Sequence, residues 1–212
     1  MESEEKILKG FDRGKDYMDI KKHLLNDINN KFDKYKNEDD LKNKKLLINQ
    51  ILYITIALIQ LKNGSRISEA CRAILKFVEN EDIKNKVIVK ISKSEGLKYN
   101  NKTKEKKLSK ARYRKIVFPI WINKHIFKYL IKEQPSGLFV KPNLLKQRVL
   151  DYLLKYHSCN THSLRYACIN YLIYEQKRPL NEVSKFVGHT TVNQLVTYTQ
   201  NKNVDKIYDL DF

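Results

Sequence analysis

The stretch LKNKKLLINQILYITIALIQLK (Leu41–Lys62), followed at once by NGSRISEA (Asn63–Ala70), decides the fold. It predicts a helix over 41–62 whose second half is apolar on nearly all sides, the pattern of a helix enclosed by a core rather than lying on one. Asp39-Asp40 offers a cap at its start. Asn63-Gly64 ends it, because glycine takes the left-handed conformation that closes a helix. The apolar run Leu46–Leu61 is interrupted by Asn49, Gln50 and Gln60, so it falls short of a bilayer span. A short helix over 66–77 follows, with Ile67, Ala70, Cys71, Ile74 and Leu75 on one face. Upstream, Ile20, Leu24, Leu25, Ile28 and Phe32 recur at helical spacing and predict one amphipathic helix over 16–35, too little for a domain of its own.

Downstream, Asn80-Glu81-Asp82 reads as a turn. Val87–Ile91 is β-branched and reads as a strand, as does Arg114–Pro119. The segment between them is either a long hairpin connection or a third, poorly patterned strand. Helical patterns then cover about 120–132, 143–157, 161–176, 180–187 and 191–200, with Thr161 and Thr191 suited as N-caps and Pro179 near a helix start. Trp121 with Ile120, Ile122 and Phe127 reads as packing. The expected class is mainly α with a small antiparallel β-sheet. The expected organisation is a charged helical stub or linker (1–40), a catalytic-size domain (41–200) and a tail (201–212).

Across 212 residues, 42 Lys+Arg against 24 Asp+Glu leave a net charge of +18, which points to a polyanionic partner such as nucleic acid or an acidic membrane surface. A Lys- and Asn-rich composition also reflects an AT-rich genome, so distribution matters more than the total. Residues 98–115 carry Lys98, Lys102, Lys104, Lys106, Lys107, Lys110, Arg112, Arg114 and Lys115 against Glu105 alone, a block that repels itself unless an anion neutralises it. The chain is 42% hydrophobic, enough to bury a core. Cys71, Cys159 and Cys168 are an odd number with no framework spacing, and no apolar signal core opens the chain, so a cytoplasmic location is expected. His157, Cys159, His162 and Cys168 match no common structural zinc spacing.

Four short segments carry chemistry as a set. Asn63–Ala70 projects Arg66 from a rigid turn at a helix start. Thr161–Tyr166 sets His162 and Arg165 three apart, within reach of a single anion. Val187-Gly188-His189 is a Gly-His turn between helices, and Tyr198 follows nine residues after His189. Each alone is an ordinary surface or packing feature.

In order and spacing the four segments resemble the boxes of the tyrosine recombinase (phage-type integrase) family over about residues 42–200. Its first box, Thr-Gly-x-Arg-x-x-Glu, is matched by Asn63 to Glu69 with Asn in place of Thr. Its second, His-x-Leu-Arg-His, is matched by His162 to Arg165 with Tyr166 in the last place. Its third, Leu-Gly-His and then Tyr, is matched by Val187-Gly188-His189 and Tyr198. The resemblance implies cleavage and rejoining of duplex DNA through a 3′-phosphotyrosyl link at Tyr198, with no metal and no ATP. Arg66 and Arg165 would hold the phosphate oxygens, His162 would act as base or proton shuttle, and His189 would bond the phosphate. Glu69 would orient nearby basic groups. A sheet lysine would protonate the leaving oxygen. Counting from the first strand puts Lys93 there, with Lys98, Lys104 and Lys110 as rivals. Lys98, Lys104, Lys107, Lys110, Arg112 and Arg114 are expected to contact DNA phosphates.

The implied partners are duplex DNA and further copies of the chain, a tetramer on DNA and a monomer or dimer off it. The tail's Val204, Ile207, Tyr208 and Leu210 suit docking in cis or in trans. The implied location is at nucleoid or host-cell DNA, and compact size with AT-rich coding suits a virus or other mobile element. With 65 residues before Arg66, the chain is either an isolated catalytic domain or a minimal integrase, expected to bind DNA weakly alone. The alternatives are a type IB topoisomerase-like strand transferase and a non-catalytic basic DNA-binding module.

Overall fold

The structure, a computed structural model, describes residues 16–92, 96–100, 105–119, 121–122, 124–125, 127–128 and 142–195. Helix α1 (Tyr17–Lys36) starts where the Asp16 carboxylate accepts from the N–H groups of Met18 and Asp19, at 2.7 and 3.0 Å. Helix α2 (Leu41–Asn63) starts where Asp40 accepts from Asn43 N–H at 2.8 Å and ends at Gly64, whose φ of 54° is left-handed. Helix α3 (Ile67–Glu79) follows within three residues.

Helix α2 is the axis of the fold. Its residues from Ile51 to Leu61 are buried apart from the half-buried Tyr53, and α1, α3, two later helices and one strand all pack on it. By length and composition it is apolar enough to cross a membrane, a property the interrupted run did not suggest, yet most of it is enclosed by its neighbours. Helix α1 is no loose stub. Ile20, Leu24 and Ile28 belong to the same core as α2, because an isolated amphipathic helix has no other place to bury that face.

Strands β1 (Lys86–Lys90) and β4 (Tyr113–Val117) pair antiparallel, with Val87 opposite Ile116 and Lys90 opposite Tyr113. Val87, Val89 and Ile116 face the core. The segment between them is neither a loop nor one strand. It contains β2 (Gly96–Asn100) and β3 (Glu105–Ser109), paired with each other in a separate antiparallel ladder. A charge-rich segment still has peptide groups to satisfy, and self-pairing satisfies them where no apolar alternation announces a strand.

The chain returns through α4 (Pro142–His157) and α5 (Thr161–Asn170). Asn160, not Thr161, caps α5, accepting from His162 and Ser163 N–H at 2.8 and 2.9 Å. The expected continuous helix to 176 changes pitch. Tyr171–Glu175 is a π-helical turn closed by Gln176 N–H on Tyr171 O at 2.9 Å, and the Tyr171 ring stacks on Tyr17 at 4.3 Å. Helix α6 (Leu180–Phe186) leads into a turn and a 3-10 segment (Val192–Leu195). Most of the helix expected over 120–132, and residues 196–200 of the last one, lie outside the described residues. The fold is mainly α with small antiparallel sheets, as its sequence implies.

Candidate active site

Two glycine turns meet at the end of β1, and an arginine joins them. Gly64 closes α2, and a Cβ there would lie 2.9 Å from Val187 Cγ1 and 3.2 Å from Cys168 Sγ. Gly188, at φ +77°, follows α6, and a Cβ there would lie 3.1 Å from Ile91 Cδ1. Both positions therefore require glycine for conformation and for closeness. Arg165, 1% exposed, enters from α5 between them. Its guanidinium donates to Gly64 O, to Val187 O at 3.0 Å and to His189 Nε2 at 2.8 Å. Gln60 Nε2 donates to Thr161 O at 2.6 Å, fixing the start of α5 against α2.

An arginine only donates, so His189 Nε2 accepts and the ring proton sits on Nδ1, a tautomer assigned from that bond. Burial first, and then the nearby Arg165, Arg66, Arg114 and Arg112 guanidiniums, together hold the His189 pKa down at about 4. His189 is thus neutral at pH 7 and lies in the field of four arginines. Arg112 donates to the His189 carbonyl at 3.4 Å.

Glu69 balances that charge from within. Fully buried on the first turn of α3, it accepts from Arg66 N–H at 3.2 Å, Arg66 Nη1 at 3.3 Å, Arg114 Nη1 at 3.4 Å and Ser92 N–H at 2.9 Å. Arg66 and Arg114 share this one carboxylate while Arg165 and Arg112 lie at His189, leaving a local excess of positive charge suited to a phosphate-sized anion. Arg66, with its side chain 30% exposed, can reach an incoming ligand.

Asn63, where the resembled box has Thr, has a clear role. Its amide pairs with β4 like a strand residue, donating to Val117 O and accepting from Val117 N–H, both at 2.9 Å. Its own carbonyl accepts from Arg114. The substitution docks the end of α2 on the sheet and leaves the arginine turn intact.

Among the expected site residues, the structure gathers Arg66, Arg165 and His189. His162 lies on the first turn of α5, exposed, one turn before Arg165. Lys93 and Tyr198 lie outside the described residues. Of the expected DNA contacts, Lys98 falls in β2 and Lys107 in β3, Lys110 is exposed before β4, Arg112 is half-buried in the cluster, and Lys104 lies outside the described residues. Arg114 departs from its expected place. It is 7% exposed, paired with Glu69, with its guanidinium 5.6 Å from the centre of the Phe186 ring. Burial lowers its pKa to about 10 despite Glu69, so it stays charged at neutral pH. The signal was present: Arg114 shares the two-residue period of Ile116, the inward face of β4.

No family model matches the chain. Over 205 residues it is 46% identical to a Sputnik virophage protein named "Putative integrase V10", spanning 96% of the chain and 91% of that relative. It is 30% identical over 154 residues to "Putative integrase ORF241" of Acidianus two-tailed virus, spanning 71% of the chain and 52% of that relative. It is also 28% identical over 216 residues to an uncharacterized protein of Methanocaldococcus jannaschii, spanning 93% of the chain and 86% of that relative.

Proposed function

The chain belongs to the integrase family of the virophage relative, and from that premise we propose that it is a tyrosine-type, site-specific DNA recombinase that cuts and rejoins duplex DNA. The observation that carries the reading is the junction of Gly64, Arg165 and the Val187–His189 turn beside Arg66, drawn from three distant parts of the chain.

In this reading the Tyr198 hydroxyl attacks a backbone phosphorus, forming a phosphotyrosine and breaking the bond to the 5′ oxygen. Attack places a second negative charge on the equatorial oxygens. Arg66 and Arg165 stabilise that charge, and Arg165 is pre-aimed by its two carbonyl bonds, so little reorganisation is needed at the moment of reaction. A tyrosine hydroxyl with an ordinary pKa of about 10 needs local activation, which the cationic pocket supplies, with His162 as proton acceptor. Neutral His189 acts as a hydrogen-bonding group, not a third cation. The 5′ alkoxide is a much stronger base than phenolate and takes a proton from a lysine, Lys93. The bond energy is conserved in the phosphotyrosine, so rejoining needs no ATP.

DNA contacts come from the β2–β3 ladder, which carries Lys98 and Lys107 at paired register positions. Copies of the chain assemble as a tetramer on DNA, with the tail 201–212 docking in cis or in trans, at nucleoid or host-cell DNA.

Suicide cleavage tests the reading. A pool of nicked duplexes of randomised sequence should yield a covalent protein–DNA adduct with wild type, none with Tyr198→Phe, and a loss of roughly a hundredfold or more with Arg66→Ala or Arg165→Ala. An adduct that persists in Tyr198→Phe rejects the assignment.

A further inference from the structure

Arg114 comes from the basic block yet lies inside the fold, where its side chain reaches both glycine turns and the carboxylate that holds Arg66. Its Nη2 donates to the carbonyl of Asn63, the last residue before the Gly64 turn. Its Nη1 donates to Glu69 Oε2 at 3.4 Å. Its Cδ lies 3.6 Å from the place a Cβ would take on Gly188. Glu69 in turn accepts from the Arg66 backbone and guanidinium and from Ser92 N–H.

Core packing does not ask for a charge at this position. Ile116, two residues along the same inward face of β4, is apolar and fully buried. A buried ion pair adds little stability over well-packed apolar side chains, because desolvating the two ions offsets their attraction. Here Arg165 and Arg66 stand close enough to oppose the Arg114 charge as well. The charge has a use at Glu69. A carboxylate with Arg66 as its one ionic partner would cancel that guanidinium. With Arg114 on the same carboxylate, the three groups keep one positive charge in excess. Arg66 is the more exposed of the two arginines, its side chain 30% accessible against 5%, so it presents that excess to a ligand.

We propose that Arg114 is a positioning residue for phosphate capture: it shares Glu69 with Arg66, so that the carboxylate orients Arg66 without neutralising it. The inference rests on the recombinase reading above and adds a residue to it. Arg114 is enclosed by the fold and acts through Glu69 and Arg66, in place of the direct DNA contact its sequence position suggests.

The test uses the full chain and a nicked duplex of the sequence trapped from the randomised pool. Arg114→Gln keeps a donor for Asn63 O and Glu69 but no charge, Arg114→Met fills the position with an apolar chain, and Arg114→Lys keeps the charge. Each is measured alone and together with Arg66→Ala, and urea unfolding checks that each variant folds. The folded neutral variants should lower the rate of adduct formation at least roughly tenfold, and Arg114→Lys should recover at least about threefold of that loss. Because the effect runs through Arg66, the neutral substitutions should cost no more than about a further twofold in the Arg66→Ala background. General loosening of the core would instead multiply with Arg66→Ala and would not respond to a restored charge. No loss in the neutral variants, no recovery with lysine, or a full multiplicative loss overturns the positioning role and leaves the recombinase reading standing. Failure of both neutral variants to unfold cooperatively, with Arg114→Lys folded, assigns the charge to stability and overturns it as well. No adduct from wild type, or an adduct from Tyr198→Phe, overturns both.

Discussion

At the scale of single residues, the site is a problem of concentrated like charge, met by one carboxylate and by backbone carbonyls. Arg165 is fixed by carbonyls, Arg114 by Glu69 and Asn63 O, and Arg66 by Glu69, so each guanidinium has a partner before any ligand arrives. His189 tolerates this setting only as the neutral ring. Its depressed pKa has a consequence for stability. Between about 6.5, the unfolded value, and about 4, the unfolded chain binds a proton that the folded chain refuses. The His189 contribution is therefore intact above the unfolded value and is lost as pH falls toward 4. Urea midpoints of wild type and His189→Asn, compared from pH 7 to pH 4.5, should converge or cross, at up to about 1.4 kcal/mol per pH unit. Parallel pH profiles would refute this account of the ring.

At the scale of elements, the two glycine turns are the hinge-pins of the site. Gly64→Ala would place a Cβ at positive φ and 2.9 Å from Val187 Cγ1, and both the strain and the contact oppose it. It should destabilise the fold by about 1–3 kcal/mol in chemical denaturation and reduce adduct formation, because Gly64 O is a ligand of Arg165. An unchanged denaturation midpoint would show that the two turns can part without cost. The α5 helix shows the same economy. Its N-terminus is tied to α2 through Gln60, and its pitch changes only after Asn170, beyond the residues that face the arginine cluster. Helix α1 locks onto α4 through Asp27, which accepts from Tyr152 Oη at 2.7 Å and lies 2.9 Å from His157 Nε2.

At the scale of the whole molecule, the net charge of +18 includes both the arginine cluster at Glu69 and the basic block of residues 98–115. The two should behave differently toward salt. Cations that contact phosphates release counterions, so each lost contact lowers the salt dependence of binding. Lys98→Ala and Lys107→Ala should each reduce the slope of log affinity against log salt by about one, while adduct formation at low salt persists. Slopes identical to wild type would place the DNA path elsewhere.

The sequence by itself determined the axis of this protein and marked the arginine and histidine residues that meet at the candidate site. The all-round apolar half of α2, the Asn63-Gly64 stop and the spacing of Arg66, Arg165 and His189 are local facts, written in side-chain type and period. What only the tertiary structure decided is which charges lie inside. Arg114 and Lys110 are neighbours in one basic block, and composition does not separate them. The pleat of β4 turns Arg114 inward beside Ile116, where Glu69 waits on a helix 45 residues earlier. The pairing of β2 with β3, the inclusion of α1 in the core and the hold on Ser92 have the same origin. Each depends on a partner remote in sequence, and a burial or hydrogen bond between distant segments leaves no periodic trace in either one.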